Sequence, residues 1–482
     1  MIEERVPVHP LLLDASTRSE LWQHTATIVE RYVEEVAALP VEPVPDVSRA
    51  GAAVAQFDFD VPLDARVALE RVVEAMREMQ THTAHPRYFG LFNPAPTTMG
   101  IIGETLAAAF NPQLAGWSHS PFGVQAERHL VRSLGSRFGE AFSNGSFTSG
   151  GAEANLTAMI CALVHRFPAF GLGGMRALSR SPVAYASAAA HHSLVKAARV
   201  TGLGTDGLRI VPCDASHGMD VRALAAMIDR DRAAGYEPFL VAATAGATTT
   251  GVIERLGAIG ALARAEGLWL HVDAAWGGFA AFVPELADAL AGIGDADSIT
   301  FDPHKMLSVP LGAGLFLTRH HDVLGSAFSV TADYMPAHDE DDERADPFTH
   351  SLQWSRRFIG LKVLLSLAVA GWDGYAHVLR RQTALGNVLR RELREAGWRI
   401  VNETPFPVVC FTHQDRSFDL ARIAADVQRA GKVWISPARL PDGTPVLRAC
   451  ITNYLTTEDD VRVLVREVDA ARKAAELGER PA

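Results

Sequence analysis

Along this chain, short apolar runs end abruptly in glycine, histidine, aspartate or a Pro-His-Lys turn, and stretches with helical spacing separate them. Leu21, Trp22, Ile28, Val29, Tyr32 and Val36 recur on one helical face, which predicts an amphipathic helix over about residues 15–38 with Asp14 or Ser16 as its cap. Pro40 to Pro45 ends it, and Val67, Leu69, Val72, Val73 and Met76 predict a second helix from Asp64 to Met79. Farther on, Val183–Ser187, Phe239–Thr244, Leu268–Val272, Ser298–Phe301 and Gly312–Thr318 read as strands. Helical runs begin at Leu156, Leu194 and Leu256 between them. Strand and helix alternating at this spacing predict an α/β fold with a mostly parallel central sheet, and such sheets bind ligands at the carboxyl ends of their strands. From about residue 376 the pattern changes to long helices around the strands Val408–Phe411 and Pro445–Ile451, with helices at Asp419–Gly431 and from Glu458 to about Glu476. That is a smaller α+β unit. The chain thus divides into an N-terminal helical segment (1–84), a large domain (85–375) and a small C-terminal domain (376–482).

Composition supports a large folded core and narrows the partners. The chain is 482 residues long, 48% hydrophobic and 21% charged, with a net charge of -11. An acid-rich chain has no general attraction for nucleic acid or an anionic membrane. Cys161, Cys213, Cys410 and Cys450 are far apart and form neither a CxxC pair nor a Cys/His metal spacing, so thiols of a reducing compartment are expected and no metal. The start, Met1-Ile2-Glu3-Glu4-Arg5, lacks the basic and apolar regions of a secretory signal, and no apolar run is long enough to cross a bilayer. A cytoplasmic protein is expected.

Candidate chemistry lies where the predicted strands end. Lys305 follows Asp302-Pro303-His304, and a lysine amine becomes a nucleophile toward carbonyls when its ammonium form is disfavoured. Asp273 closes an apolar run and precedes Ala274-Ala275; a carboxylate there needs a cation or hydrogen-bond donors. Gly150-Gly151-Ala152 precedes a helix, an arrangement that offers free N–H groups and a favourable dipole to an anion. His191 and His192 both follow a strand, and Thr248 sits in a small-residue turn rich in hydroxyls. Taken singly, each has an ordinary alternative: a surface lysine, a capping carboxylate, a plain glycine turn, a solvated histidine. Their agreement at successive strand ends is the stronger signal.

Together, Asp273-Ala274-Ala275 and Asp302-Pro303-His304-Lys305 resemble the signature pair of the group II pyridoxal-phosphate-dependent amino acid decarboxylases, which include aromatic amino acid, glutamate and cysteine sulfinate decarboxylases. The resemblance implies the fold type I of pyridoxal-phosphate-dependent transferases and pyridoxal 5'-phosphate as cofactor. It makes Lys305, His191 and Asp273 the catalytic residues: Lys305 would hold the cofactor covalently, Asp273 would keep its ring nitrogen protonated, and His191 would stack on the ring. Gly151, Ala152 and His304 would anchor the phosphate, Thr248 would touch the cofactor, and Ala275 would offer a flat surface to its ring. It also implies a homodimer, joined through the N-terminal segment with the active site near the subunit interface, and an amino acid as small-molecule substrate. Ala152 stands where many relatives have serine, and Ala247 where a threonine is common.

Two loops bear on substrate and product. In His85–Pro94, Leu91 stands where glutamate-type members carry a polar amide, so an aromatic or apolar substrate is expected over an acidic one, with Phe92 and Trp117 facing it. Thr331–Pro336 and the acidic run Asp339–Glu343 correspond to a mobile loop whose tyrosine, in the family, gives a proton to carbon. Counting back from Arg356-Arg357-Phe358 brings that position to Pro347 or Phe348, neither of which has a phenol. Either a shifted loop, His350 or His191 gives the proton instead and the product is an amine, or oxygen intervenes and an aldehyde is released, as in family members with phenylalanine there. Further alternatives are an aminotransferase or carbon–carbon lyase of the same fold and a cofactor-binding protein without turnover. Arg448 is expected in a structural ion pair.

Overall fold

Apolar runs too short for helices become the strands of two sheets in the computed structural model, which describes residues 11–44, 46–330, 344, 346–415 and 418–477. Thr331–Pro336 and Asp339–Glu343 lie outside the described residues. The strands are β1 (Asn144–Thr148), β2 (Pro182–Ser187), β3 (Leu208–Val211), β4 (Glu237–Thr244), β5 (Trp269–Asp273), β6 (Ser298–Phe301), β7 (Gly314–Thr318), β8 (Arg399–Ile400), β9 (Val408–Thr412), β10 (Ser436–Arg439) and β11 (Pro445–Cys450). The large sheet has the order β1-β7-β6-β5-β4-β2-β3, and the small one β10-β11-β9-β8.

The large sheet is parallel except for β7, which runs against both β1 and β6. Residues 302–313, which link β6 to β7, form turns and no helix, and the chain folds straight back as an antiparallel neighbour. Alternate residues of β4 and β7 enter opposite cores: Val241, Ala243, Leu315 and Leu317 pack with Leu256, Ile259 and Leu270 on one side. Leu240, Ala242 and Phe316 pack with Ala158, Leu163 and Leu194 on the other. Both faces are therefore covered, as a near-continuous apolar strand requires.

Helices α1 (Ala15–Glu35), α2 (Val47–Val54) and α3 (Ala65–Glu78) precede the sheet, followed by α4 (Thr98–Phe110) and α5 (Pro121–Gly135). Within the large unit come α6 (Gly151–Arg166), α7 (Phe170–Gly173), α8 (Ser193–Val200), α9 (Val221–Ala233), α10 (Leu256–Glu266), α11 (Pro284–Ala287) and α12 (Val323–Phe328). The chain then passes through α13 (Gly360–Glu395), α14 (Leu420–Arg429) and α15 (Glu458–Glu476). Gly371 breaks α13 at a left-handed φ of 63°, and the second half continues past residue 376 to cover the small sheet. Leu385, Leu389 and Leu393 pack there against Val409, Phe411, Leu447 and, from α15, Val461, Leu464 and Val468.

Asp14 and Asp64 cap α1 and α3, as expected, while α2, capped by Asp46, is an element the sequence pattern did not mark. None of these three helices contains a buried residue, and Trp22, Phe59 and Met76 keep 59%, 95% and 51% of their surface exposed. The segment is tied to the body by Tyr32–His82 (3.0 Å), by the Val41 amide on the Gly431 carbonyl, and by Trp434 Nε1 donating to Glu42. Among the described residues no single helix is long and apolar enough to cross a membrane.

Candidate functional site at the strand carboxyl ends

Because β1, β2, β4, β5 and β6 point the same way, the residues after them emerge along one edge of the sheet. Asp273 is the last residue of β5, paired with Thr244 on one side and Thr300 on the other, and it is buried. Lys305 lies in the turn after β6, where its amide donates to the Asp302 carbonyl and its Nζ sits 2.9 Å from Asp302 Oδ2. Asp302 is buried, and its Oδ1 has no hydrogen-bond partner. In the same turn His304 Nδ1 lies 2.8 Å from the Ala313 carbonyl at the start of β7. Burial is the main reason its imidazole is held below the usual range, with the Asp302 charge opposing.

The glycine turn closes this group from the side of α6. A Cβ on Gly151 would stand 2.9 Å from Asp302 Oδ2, 3.3 Å from the Ala275 methyl and 3.4 Å from Thr300 Cγ2. One on Gly150 would meet His304 Cε1 at 3.3 Å. The absence of a side chain lets the first amides of a sixteen-residue helix approach the Lys305 turn. Ala152, one residue on, is exposed, and Glu153 Oε2 accepts from the Ser149 amide at 2.8 Å.

Beneath these groups lies a hydrogen-bond network that sequence reasoning missed. Asp273 Oδ1 accepts from the Ala275 amide (3.1 Å) and Oδ2 from Asn155 Nδ2 (2.8 Å). Asn155, on α6, also donates to Ser193 Oγ (2.8 Å), and its Oδ1 faces Thr300 Oγ1 (2.7 Å) and His271 Nε2 (2.9 Å). His271 Nδ1 meets Ser298 Oγ (2.9 Å), which takes the Trp269 indole N–H. Ser193 Oγ in turn lies 2.8 Å from His191 Nδ1, so His191 and Asp273 are joined through two side chains. Full burial drives the His271 imidazole down to about 4, the Asp273 charge opposing. His191 is also held below its usual range, chiefly by desolvation, although it keeps contact with solvent. One signal was available in the sequence: Asn155 is four residues after Gly151, on the same helical face.

Thr248 occupies the neighbouring loop after β4, exposed, and no contact joins it to Lys305 among the described residues; its carbonyl accepts from Arg448 Nε at 2.8 Å. Arg448 Nη1 donates to the Gly90 carbonyl (2.8 Å), its guanidinium lies 4.8 Å over the Phe92 ring, and its buried Nη2 has no partner. Among the described residues it forms no ion pair, contrary to the sequence expectation; two main-chain carbonyls have taken the place of a carboxylate. Phe92 also departs from expectation. Its ring is buried 4.5 Å from Trp276 in the core, whereas Leu91 beside it is 53% exposed. Trp117 is held by its amide on Asp346 Oδ1 (2.6 Å). Phe348 is buried against Trp354 at 4.5 Å, with its amide on the Ala115 carbonyl (3.1 Å).

These groups suit pyridoxal phosphate by their chemistry: a primary amine, a buried carboxylate held by two donors, an imidazole linked to it, and a helix start whose glycine leaves an anion room. The pyridoxal-dependent decarboxylase conserved domain matches residues 60–414. Cysteine sulfinic acid decarboxylase of Rattus norvegicus is 32% identical over 349 residues, 71% of this chain and 70% of the relative. Aromatic-L-amino-acid decarboxylase of Bacillus atrophaeus is 28% identical over 402 residues, 81% and 82% of the two chains. The crystal structure of mouse CSAD superposes with a TM-score of 0.88 at 25% identity, covering 95% of this chain and 99% of that one. The chain belongs to the pyridoxal-dependent decarboxylase family and is an amino acid decarboxylase with pyridoxal phosphate as its cofactor.

Proposed function

We propose that this enzyme converts an L-amino acid with an aromatic or apolar side chain into its amine and carbon dioxide. The observation that carries the reading is that adjacent strand ends bring the Lys305 amine, paired with Asp302, and the buried Asp273 carboxylate, held by two donors, to one edge of the sheet. Pyridoxal phosphate, when bound, supplies a conjugated ring that accepts the electron pair left when carbon dioxide departs. Lys305 would hold the cofactor and release it to the substrate amine, and Asp273 would keep the ring nitrogen protonated. His191 and Ala275 would confine the ring, Gly151, Ala152 and His304 would receive the phosphate, and Thr248 would close one side. The preference for an uncharged side chain is supported by Leu91, which presents an exposed isobutyl group beside carbonyls fixed by Arg448. His191 would return the proton to carbon. The exposed apolar surface of α1 to α3 supports a homodimer built through this segment, with the site near the interface.

A second reading keeps the same site but releases an aldehyde in air, and it is favoured by Phe348, whose buried ring has no proton to give. One experiment separates the two: product identification by mass spectrometry after incubating the cofactor-loaded enzyme, in air, with aromatic, acidic, basic and small amino acids. Amine from aromatic substrates supports the proposal, aldehyde with ammonia and peroxide supports the second reading, and amine from acidic substrates alone overturns the substrate class. Light scattering after size exclusion tests the dimer.

A further inference from the structure

Hydrogen-bond polarity in the buried network can be assigned from one end to the other. Asp273 Oδ2 faces one end of the Asn155 amide at 2.8 Å, and a carboxylate oxygen accepts. An oxygen there would set two acceptors against each other, so the amide must present Nδ2. Its second hydrogen then goes to Ser193 Oγ, also at 2.8 Å. Ser193 has one hydroxyl proton, and with its oxygen already accepting from Asn155 that proton turns to His191 Nδ1, again at 2.8 Å. The Ser193 amide, 3.2 Å from the same nitrogen, presses in the same direction. His191 Nδ1 is thus an acceptor twice over, and the proton of the neutral ring sits on Nε2. On the far side the order is equally fixed: Asn155 Oδ1 accepts from Thr300 and His271 Nε2, and His271 Nδ1 takes the Ser298 hydroxyl.

We infer that Asn155 is a positioning residue that transmits the charge of Asp273 into the tautomer of His191, holding the imidazole as an Nε2–H donor on the substrate side. This rests on the decarboxylase reading above only for its use, as a hydrogen-bond donor turned toward the substrate. The tautomer itself is a property of these four side chains and the Ser193 amide. Asn155→Asp supplies the sharpest test, because it keeps the shape but removes a hydrogen. A carboxyl oxygen in the Nδ2 position carries at most one proton, and Asp273 claims it. Ser193 would then turn its hydroxyl to residue 155, leaving the Ser193 amide as the one donor that still keeps the proton off Nδ1 and weakening the tautomer preference.

The experiment is nitrogen-15 NMR of histidine-labelled, cofactor-loaded enzyme above neutral pH, with His191→Gln identifying the resonances of His191. The inference expects a pyrrole-like shift at Nε2 and a pyridine-like shift at Nδ1 in the wild type. The two shifts move toward each other in Asn155→Asp, and the movement is abolished when Ser193→Ala is added. In Asn155→Asp, kcat should fall by about 10-fold with KM little changed, the size of one hydrogen bond. A wild-type ring protonated at Nδ1, or an unchanged His191 spectrum in a folded Asn155→Asp variant, overturns the inference. If Asn155→Asp does not fold, the wild-type spectrum alone decides. An aldehyde product with the expected spectra would overturn the proposed reaction and leave the tautomer assignment standing.

Discussion

Nζ of Lys305 lies 2.9 Å from Oδ2 of Asp302, and the two side chains are unequally buried, the lysine keeping 22% of its surface and the aspartate 2%. Among the described residues Asp302 Oδ1 has no hydrogen-bond partner and His304 Nε2 stands off at 3.8 Å from Oδ2, so the lysine carries most of the burden of compensating this buried carboxylate. Removing one member of such a pair costs about 3–5 kcal/mol when both are buried, and the partial exposure of Lys305 puts this case at the lower end. Lys305→Ala should therefore abolish turnover and also destabilise the fold. Adding Asp302→Asn should return much of the stability and none of the activity. Urea titrations of the wild type and both variants read the first effect; equal stabilities for wild type and Lys305→Ala would mean the ion pair contributes nothing.

Acid should weaken the network under Asp273 in a defined window. His271 is fully buried, faces Asp273, Asn155, Thr300, Ser298 and Trp269, and titrates near 4 instead of its ordinary 6.5. A base whose folded pKa lies below its unfolded value binds fewer protons when folded, so its contribution to stability is complete above about 6.5 and is lost as pH falls through about 4. Denaturant midpoints measured across this range should fall with pH, and His271→Gln should flatten that fall. An unaltered slope in the variant would assign the acid sensitivity to other groups.

Residues at strand ends were legible because each ends an apolar run: Asp273, Lys305, His191 and Gly151 stand out against the alternation around them. What the sequence hid is set by distance along the chain. Asn155 meets Ser193, His271, Asp273 and Thr300, which lie 38, 116, 118 and 145 residues away, and its place one turn after Gly151 is a local sign that says nothing of these partners. Arg448 was read by its charge, but the fold gives it the carbonyls of Gly90 and Thr248. Phe92 was read by its type as a pocket wall, and the same aromaticity makes it a core residue against Trp276. The antiparallel course of β7 goes with a link before it that turns back without a helix, a feature that strand patterns alone do not express.

A second buried ion pair fixes the helical layer beside β1. Arg356 Nη2 lies 2.5 Å from Glu127 Oε2, both side chains are 5% exposed, and Arg356 Nη1 also reaches the Phe147 carbonyl. Glu127 Oε1 takes the Gly360 amide at the start of α13, so one carboxylate joins α5, β1 and α13. Arg356→Met leaves Glu127 charged and unpaired and should cost about 3–5 kcal/mol. The double variant Arg356→Met/Glu127→Gln should be more stable than the single one. Thermal unfolding of the pair checks this, and a double variant no better than the single one would point to lost packing instead of stranded charge.

Phe348→Tyr asks whether restoring a phenol changes the product. The Phe348 ring is buried against Trp354, and its amide is tied to the Ala115 carbonyl, so a hydroxyl added at its tip enters a packed site. Without a partner that hydroxyl costs about 1–3 kcal/mol in stability. If His191 is the proton donor, the variant should make the same amine at a similar rate and simply unfold at lower denaturant. If the wild type instead releases aldehyde because position 348 has no proton to give, the variant should shift toward amine. Product ratios and denaturant midpoints, measured on the same preparation, separate the outcomes. A wild-type enzyme that already makes only amine, and a variant that changes nothing but stability, would assign proton return to the His191 side of the ring.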